Sequence, residues 1–363
     1  MAITEFYLHI AFGFVLTVIA TVITWAMLKH GRIIDHPNHR SSHSRAVPKS
    51  GGISIVVTFL IGMCYIMFFA YPDLVHQQYI YGFVFSSLLI AVISFVDDVW
   101  EKSAQFKLVT HVVAVSVVLY TGIVIENLTL PWVGRISLEW LGYLISAVWI
   151  LGLTNACNLM DGIDGLVGST ALIAAMFFMA ISYYEGSTFV YITGYTIIAG
   201  CVGFLIYNAP PAKIFMGDVG SAFLGFVFAT LAIIAARYDF SRTSFLVMPM
   251  LLFHFIYDTM FTFLRRLLRG ENALQAHRTH LYQLMVRSGY SHLEVTLLLC
   301  CMAFLQGLGA IWMVNIPGNE RLYVFIPFLL IQIVYSHLTL KRARKSGVKL
   351  SDNHSGIPRR HGL

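Results

Sequence analysis

The sequence predicts an all-α membrane protein, a polytopic helix bundle with about eleven transmembrane helices. Of the 363 residues, 58% are hydrophobic and only 12% are charged. A soluble domain carries about 25% charged residues, so this chain has too little polar surface to cover a water-soluble globule. Apolar segments of roughly 20 residues recur along the chain, which is the length that a helix needs to cross the hydrocarbon core. Because backbone groups in lipid must be paired internally, we expect these segments to be helices.

Eleven apolar segments meet this criterion, and mostly short connections join them. We expect the first to be a retained anchor, because no basic residue precedes it and no small-residue cleavage site follows it. There is no internal repeat, so we predict one integral-membrane domain over residues 1–340, followed by a basic tail, 341–363. The predicted spans are 4–28, 51–71, 78–96, 107–125, 137–156, 165–183, 188–207, 219–236, 245–264, 293–314 and 321–340.

The distribution of basic residues predicts the orientation. When alternate loops are assigned to one side, that side holds all but four of the 24 lysines and arginines, the exceptions being Arg135, Arg237, Arg242 and Arg321. Cytoplasmic loops carry such an excess, so the N-terminus is predicted outside and the C-terminus in the cytoplasm. The basic tail beside the last span also suits anionic lipid headgroups.

Aspartates from three distant junctions fall at the predicted cytoplasmic ends of helices. Acids often collect in loops, and Lys102 or Lys107 would make the first pair an ordinary ion-pair cluster. Adjacent carboxylates nevertheless repel each other unless a cation is nearby. Oxygen ligands gathered at one surface are also the preference of Mg²⁺. The aspartates are Asp97, Asp98, Asp161, Asp164 and Asp218.

The second of these junctions, residues 155–165, is a dense polar run between two spans. Asn155, Asn158 and Asp161 are three residues apart, so they would share one face if the segment were helical. Gly162 permits a tight turn and the close approach of a ligand. Such a polar run is expensive near lipid, which favours a functional role.

Basic and imidazole groups are predicted on the same face as the acids. Basic loops often serve only as topology determinants, and the histidines could be ordinary surface residues. Carboxylates, Mg²⁺ and cations in one pocket would suit a diphosphate substrate, because charge neutralisation and positioning dominate phosphoryl-transfer chemistry. The candidate groups are His43, Arg45 and Lys49 in the first loop and His277, Arg278 and His280 in the fourth.

Five stretches in order carry a family resemblance that covers most of the chain: 43–52, 97–98, 155–165, 215–221 and His280. They resemble the bacterial polyprenyl-phosphate N-acetylhexosamine-1-phosphate transferases, the group that contains the peptidoglycan lipid-I synthase and the O-antigen-initiating enzymes. Each motif is moderately specific, and their order between the expected spans makes the resemblance strong.

The resemblance implies roles for these residues. Asp218 would bind Mg²⁺, with Mn²⁺ as an alternative ion, and Asp97 and Asp98 would lie near the lipid phosphate. Asn158, Asp161, Gly162 and Asp164 would shape the catalytic and nucleotide pocket, and His280 would be a catalytic loop histidine. Asn208 and Phe215 match positions that contact the uridine base in the lipid-I synthase. Asp258, inside the ninth predicted span, resembles an acid of the O-antigen branch and has no assigned role.

The implied reaction transfers a sugar-1-phosphate from a UDP-N-acetylhexosamine to undecaprenyl phosphate and releases UMP. It would take place at the cytoplasmic face of the bacterial inner membrane, as the first step of O-antigen or other surface polysaccharide assembly. Asp97 or Asp98 could orient the acceptor, remove a proton or form a covalent intermediate, and the sequence leaves these roles open. Membrane lipids are expected partners, nucleic acid is not, and a homodimer is left open.

One departure concerns the sugar. Relatives carry a run of two or three histidines in the last large cytoplasmic loop, whereas Tyr282 and Gln283 stand at the aligned positions here. This pattern resembles the branch that acts on modified sugars such as N-acetylfucosamine or N-acetylquinovosamine.

Three other functions would account for parts of the sequence. An ion-coupled transporter would place acids inside the membrane, and only Asp258 is predicted there. A CDP-alcohol phosphotransferase shares a superficial Asp-Gly-x-Asp-Gly stretch but has further paired acids that this chain lacks. A non-catalytic membrane scaffold is the third alternative, and metal-dependent turnover would eliminate it.

Overall fold

Long apolar helices make up most of the protein in the computed structural model, which describes residues 3–35, 45–69, 76–100, 104–239, 243–272 and 277–351. The candidate His43 lies outside these described residues. The helices are α1 (Ile3–His30), α2 (Ile53–Phe68), α3 (Gln77–Trp100), α4 (Ala104–Tyr120), α5 (Glu139–Met160), α6 (Leu166–Tyr184), α7 (Thr188–Asn208), α8 (Asp218–Arg237), α9 (Val247–Leu251), α10 (Phe253–Leu268), α11 (Leu281–Arg287), α12 (His292–Val314) and α13 (Phe325–Lys345), with a 3₁₀ turn at Arg321–Val324. The prediction of a polytopic helical membrane protein is confirmed.

Within the described residues, eight helices are long and apolar enough to cross a membrane: α1, α3, α5, α6, α7, α8, α12 and the Arg321–Lys345 segment. Two more of the eleven predicted spans are the shorter apolar helices α2 and α4. Helix α2 has 16 residues, which is about 24 Å of helix and less than the roughly 30 Å of a typical hydrocarbon core. The count of eleven spans and the predicted orientation therefore stay predictions.

The ninth predicted span, 245–264, is interrupted. Helix α9 ends at Leu251, and α10 begins at Phe253, because Leu252 between them has φ −109° and ψ 20°, outside the helical region. Helix α10 then buries polar side chains at four-residue intervals, namely His254, Asp258 and Thr262. These polar side chains face other parts of the protein and not lipid. The average hydropathy of the segment does not show this, so it predicted one uninterrupted span.

Helix α8 forms the centre of the bundle. Every residue from 219 to 235 is buried, and the helix packs against α5 and α3 on its two sides. Small residues permit this close approach, since a Cβ added to Gly225 would lie 2.7 Å from the carbonyl oxygen of Leu153 on α5. The N-terminus of α8 is thereby fixed among the ends of α3, α4 and α5.

Two short antiparallel hairpins occupy the connections. Strand β1 (Ile34–Asp35) pairs with β2 (Val47–Pro48), and β3 (Asn127–Leu130) pairs with β4 (Gly134–Ser137). The second hairpin joins the end of α4 to the start of α5, so it lies at the far end of the bundle from Asp218. The all-α prediction did not include either hairpin.

Candidate active site

Asp98, near the end of α3, caps the N-terminus of α8. Its side chain is buried and accepts hydrogen bonds from the backbone N–H groups of Asp218 and Val219, each at 3.0 Å. The first N–H groups of a helix have no partner inside the helix, and a carboxylate there is favoured by the helix dipole. Gly217 has φ +76°, and a Cβ there would lie 2.6 Å from Oδ2 of Asp98. Glycine is therefore required at this position for the close approach.

Lys49 provides the counter-charge for Asp98. Its Nζ lies 2.9 Å from Oδ1 of Asp98, and the carboxylate is fully buried. Burial lowers the pKa of Lys49, but the carboxylates of Asp98 and Asp218 more than offset that effect, so the net pKa is raised. Lys49 therefore stays protonated over the physiological pH range.

Backbone hydrogen bonds join the first-loop motif to the Asp218 motif. The N–H of Phe215 donates to the carbonyl of Pro48 at 2.8 Å, and the N–H of Gly51 donates to the carbonyl of Phe215 at 2.9 Å. A Cβ on Gly52 would lie 2.4 Å from Cα of Gly220. Two motifs more than 160 positions apart in the sequence thus form one rigid unit.

Asp218 is the meeting point of three helices. Lys107 on α4 donates to its Oδ2, and Asn158 on α5 donates to its Oδ1 at 2.7 Å. Asn158 also donates to Ser221 at 3.0 Å, while its own Oδ1 accepts from Lys107 at 2.8 Å. Nζ of Lys107 lies 3.8 Å from Oδ2 of Asp97. The adjacent acids Asp97 and Asp98 therefore face different cations, Lys107 and Lys49.

Asp161 follows directly after α5 and lies near this group of charges. Among the described residues its half-buried carboxylate has no hydrogen-bond or ion-pair partner. Burial raises the pKa of Asp161 to about 8, with repulsion from Asp218 and Asp98 adding to the effect. An acid held this way favours a bound proton or a nearby cation.

Asp164 ties three segments together at the start of α6. Its carboxylate accepts from the backbone N–H of Ala212 at 3.0 Å and lies 3.2 Å from Nδ1 of His292 on α12. Its carbonyl accepts from the Thr296 hydroxyl at 2.9 Å. These contacts indicate that Asp164 shapes the wall of the site, and His292 was not among the residues that the sequence suggested.

Asn208, the last residue of α7, and Phe215, in the connection between α7 and α8, are the predicted uridine contacts. Asn208 is buried, accepts from the N–H of Gly165 at 3.0 Å and donates to the carbonyl of Ile214 at 2.9 Å. The amide therefore braces the connection, whereas the half-buried Phe215 ring is the more accessible of the two.

Asp258 on α10 holds the loop histidine. Its Oδ1 accepts from the N–H of Leu281 at 2.9 Å and lies 3.1 Å from Nδ1 of His280, and its Oδ2 accepts from the N–H of Tyr282 at 3.2 Å. Nε2 of His280 is buried without a hydrogen-bond partner in the described part of the chain. A carboxylate fixes this imidazole through one nitrogen and leaves the other available, an arrangement that orients a histidine for chemistry.

Tyr282 connects this histidine loop to the turn between α5 and α6. It is fully buried, and its hydroxyl donates to the carbonyl of Leu159 at 2.9 Å and accepts from Gln283 at 3.2 Å. A Cβ on Gly162 would lie 2.2 Å from the Tyr282 hydroxyl oxygen. The glycine next to Asp161 is therefore needed to admit the tyrosine.

The remaining basic candidates lie around these units. The ring of His277 is stacked on that of His280, with centroids 5.0 Å apart. Arg278 is half-buried in the same loop, and its carbonyl accepts from Arg287 at 2.7 Å. Arg45 is exposed at the start of the described segment 45–69.

A cation fits among the oxygens of this cluster. Among the described residues, no group of three His, Cys, Asp or Glu side chains is arranged to hold a metal ion as it stands. The ammonium of Lys107 instead lies between oxygens of Asp218, Asn158 and Asp97. Hard oxygen donors of this kind are the ligands that Mg²⁺ prefers, so these three side chains are the ones that could hold such an ion.

Sequence reasoning missed two features of α4. The sequence suggests Lys107 only as an ion-pair partner for Asp97 and Asp98, whereas in the structure it bridges all three junctions. His111, one helical turn further along α4, is fully buried, and neither ring nitrogen has a hydrogen-bond partner among the described residues. Lys107 and His111 are the two titratable side chains that point inward on this mostly apolar helix, and their four-residue spacing is the signal that could have identified this face.

Comparison with known proteins bears on the same residues. The model of glycosyl transferase family 4 matches residues 80–236, which include Asp97, Asp98, Lys107, Asn158 and Asp218. A phospho-N-acetylmuramoyl-pentapeptide-transferase of Latilactobacillus sakei is 32% identical over 250 residues, covering 64% of this chain and 77% of its own. The chain belongs to the polyprenyl-phosphate hexosamine-1-phosphate transferase family.

Other members of the family match over greater lengths. A probable undecaprenyl-phosphate N-acetylglucosaminyl 1-phosphate transferase of Bacillus subtilis is 26% identical over 332 residues, which is 90% of each chain. A decaprenyl-phosphate N-acetylglucosaminephosphotransferase of Mycobacterium leprae is 28% identical and covers 82% of this chain and 80% of its own. The predicted family is thus confirmed, and the relatives are all named as transferases.

Proposed function

We propose that this chain transfers an N-acetylhexosamine-1-phosphate from a UDP-sugar to undecaprenyl phosphate and releases UMP. The observation that carries the proposal is the convergence of Asp98, Lys107, Asn158 and Asp218 from four helices at the N-terminus of α8. The acids of this cluster outnumber its two lysines, so the site would accept a divalent cation. That cation together with the lysines would suit the charge on two phosphorylated substrates.

In the proposed reaction an oxygen of the lipid phosphate attacks the β-phosphorus of the donor. The bond between that phosphorus and the bridging oxygen to the α-phosphate breaks, and UMP leaves with the bridging oxygen. A phosphate monoester has a second pKa near 6, so the attacking group is mostly a dianion at neutral pH. Proton removal by Asp97 or Asp98 is therefore not required, and both acids are explained by their positions beside Lys107 and Lys49.

The side-chain oxygens that surround the Lys107 ammonium also support a bound divalent cation, Mg²⁺ or Mn²⁺. Asp218 would hold it, with Asn158 and Asp97 supplying the nearest further oxygens. When bound, the ion would neutralise negative charge on the donor diphosphate. Lys107 would then be free to contact a phosphate oxygen, and Lys49 would keep Asp98 and the α8 N-terminus in place.

We propose that His277 and Arg278 of the histidine loop bind the donor sugar-phosphate, with His280 in the catalytic role. Nε2 of His280 has no hydrogen-bond partner among the described residues, and Tyr282 fixes the loop against the turn that carries Asp161. Tyr282 and Gln283 replace further histidines of related enzymes, which supports a modified donor sugar such as N-acetylfucosamine or N-acetylquinovosamine. We propose that the reaction begins O-antigen or another surface polysaccharide at the cytoplasmic face of a bacterial inner membrane.

The test uses membranes that contain this chain, undecaprenyl phosphate, Mg²⁺ and a panel of UDP-N-acetylhexosamines. The expected result is Mg²⁺-dependent UMP release, matched by a lipid-linked sugar, for at least one donor. Asp218→Ala should abolish it, because Asp218 contacts both Lys107 and Asn158. Arg344→Gln, at an exposed position of α13, is the matched control and should keep full activity.

Unchanged activity in Asp218→Ala would show that the site is wrong. If a folded preparation released no UMP with any donor, the proposed reaction would be contradicted and a transport function would be favoured instead.

A further inference from the structure

A second concentration of cationic side chains lies at the end of the bundle away from the active site. A cavity of about 570 Å³, here called the far-end pocket, lies between the β3–β4 hairpin, the end of α8 and the segment before α13. Arg135, Arg237 and Arg321 all line it. Since α8 has 20 residues and begins at Asp218, Arg237 lies about 30 Å from the active site.

The far-end pocket gathers most of the basic residues of its face. Four arginines were predicted on this side of the membrane, and three of them line this one cavity; the fourth, Arg242, lies outside the described residues. Arginines distributed over this face without a function would not be expected to converge on one cavity. The convergence therefore points to a ligand of opposite charge.

The charges in the lining do not cancel. Glu126 is the only acid among the lining residues, and it is paired with Arg237. Within the described residues, the Arg321 side chain makes a single long hydrogen bond, 3.4 Å, to the carbonyl of Ile316. Arg135 is exposed and has no side-chain partner in the described part of the chain. Two guanidinium groups thus line the cavity without a counter-ion among the residues that the structure describes.

Aromatic residues near the far-end pocket indicate its depth in the membrane. Trp132, in the turn of the hairpin, is 93% exposed, and Trp140 at the start of α5 is 71% exposed. Exposed tryptophans on a membrane protein favour the level of the lipid headgroups. The ring of Trp132 also lies 6.1 Å from that of Tyr323, beside Arg321.

Apolar side chains form part of the wall. Ile233, Phe245 and Leu246 line the pocket together with the arginines. The volume lies in the range of about 300–1,000 Å³ that small-molecule sites occupy. A ligand with a phosphate and an adjoining apolar part would match both surfaces, and arginine is the side chain best shaped to bind phosphate through two parallel hydrogen bonds.

We propose that the far-end pocket binds the phosphate group of an anionic lipid headgroup in the leaflet opposite to the active site. Arg135 and Arg321 would contact the phosphate, while Arg237 stays paired with Glu126. This inference does not depend on the proposed transfer reaction, because no residue of the pocket belongs to the active site.

The experiment measures thermal unfolding of the purified full-length chain in neutral detergent while one additive is titrated. The additives are a short-chain phosphatidylglycerol, a phosphatidylcholine of equal chain length, and inorganic phosphate. A ligand that binds only the folded state stabilises it by RT ln(1 + [L]/Kd), so at one concentration the tighter ligand gives the larger rise in unfolding temperature. Phosphatidylglycerol should raise the unfolding temperature in step with the logarithm of its concentration, and the other two should give little at the same concentration.

The arginine variants locate the binding. The double variant Arg135→Gln and Arg321→Gln should weaken the phosphatidylglycerol response by about tenfold or more. Arg135→Gln alone should weaken it in part, and it removes no side-chain hydrogen bond or ion pair between described residues. Arg344→Gln, at an exposed site on the other end of the bundle, should respond as the unmodified chain does.

Three results would overturn the proposal. An equal response in the double variant and in the unmodified chain would place lipid binding elsewhere. An equal response to phosphatidylcholine would show that apolar contact dominates, and an equal response to inorganic phosphate at the same concentration would show that the ligand is a soluble anion. Release of UMP should be unchanged in the double variant, so failure here is distinguishable from failure of the transfer reaction.

Discussion

The carboxylate of Asp98 accepts a hydrogen bond from the backbone N–H of Asp218 at 3.0 Å, although 120 positions separate the two residues in the sequence. One acid therefore positions the other. Asp98 holds the first turn of α8 and pairs with Lys49, while the side chain of Asp218 extends toward Lys107 and Asn158. This division of roles makes separate predictions for the two acids.

Asp98→Asn should destabilise the protein as well as inactivate it. The substitution leaves Lys49 partly buried without its counter-charge, and removal of one partner of a buried pair costs about 3 kcal/mol or more. The thermal unfolding temperature should fall clearly. In the double variant with Lys49→Met the loss should be smaller, because the uncompensated charge is also removed. Equal losses in the single and double variants would contradict the pairing.

Lys107→Met should lower UMP release while strengthening the response to Mg²⁺. The ammonium competes with a divalent cation for the oxygens of Asp218 and Asn158, so its removal should lower the Mg²⁺ concentration that gives half-maximal activity. Turnover should nevertheless fall about 100-fold, because a cation beside the phosphates is lost. Activity at saturating Mg²⁺ and the half-saturation concentration are measured together. A weaker Mg²⁺ response would show that Lys107 does not occupy the cation position.

Asp258→Asn should act through His280. The variant loses the charge that orients the imidazole, so we expect kcat to fall about tenfold or more with KM for the donor nearly unchanged. The matched control is Thr262→Val, which removes another hydrogen bond to Oδ1 of Asp258, 3.1 Å long, without touching His280. Equal effects of the two substitutions on kcat would indicate a structural role only. A shifted pH profile in Asp258→Asn alone would support the positioning role.

Gly162→Ala should be harmful because of Tyr282. The added methyl group would lie 2.2 Å from the tyrosine hydroxyl, and overpacking of this kind costs about 1–3 kcal/mol. Tyr282→Phe removes the hydroxyl, so the double variant should recover part of the stability and activity that Gly162→Ala loses. The four unfolding temperatures form a double-mutant cycle. Additive losses would contradict the contact.

Asp161 should give the metal-free protein a distinct pH dependence. Its pKa is raised from 3.8 to about 8, so between these values the folded state binds a proton that the unfolded chain has released. Stability must then fall as the pH rises through this window. Asp161→Asn carries no such proton and should not show this loss. Measured in a chelator, the unfolding temperature of the variant minus that of the unmodified chain should therefore increase from pH 5 to pH 8. Parallel curves would contradict the raised pKa.

Much of the fold was predictable because a membrane span requires a long run of apolar residues. Hydropathy located eight of the eleven predicted spans as long apolar helices. It was misled at 245–264, where His254, Asp258 and Thr262 are buried against protein at four-residue spacing. A window average cannot distinguish that stripe from a lipid-facing surface, whereas helical periodicity could have done so.

The candidate site was only partly predictable. The motifs identified Asp97, Asp98, Asn158 and Asp218, and their shared membrane face followed from the order of the spans. The sequence could not reveal that Lys107 bridges Asp218 and Asn158, because a single lysine at a helix start is usually a topology signal. The cap that Asp98 provides and the tie between Asp164 and His292 also depend on tertiary contacts between distant segments.

The most direct test of the central claim is to follow the β-phosphate of the donor. With a UDP-N-acetylhexosamine labelled at that phosphorus, the account predicts that the label enters the lipid fraction in equal amount to the UMP released. Asp218→Ala should abolish both. Label that stays in the aqueous phase as UDP while sugar appears on lipid would show transfer of the sugar without its phosphate, and would contradict the account.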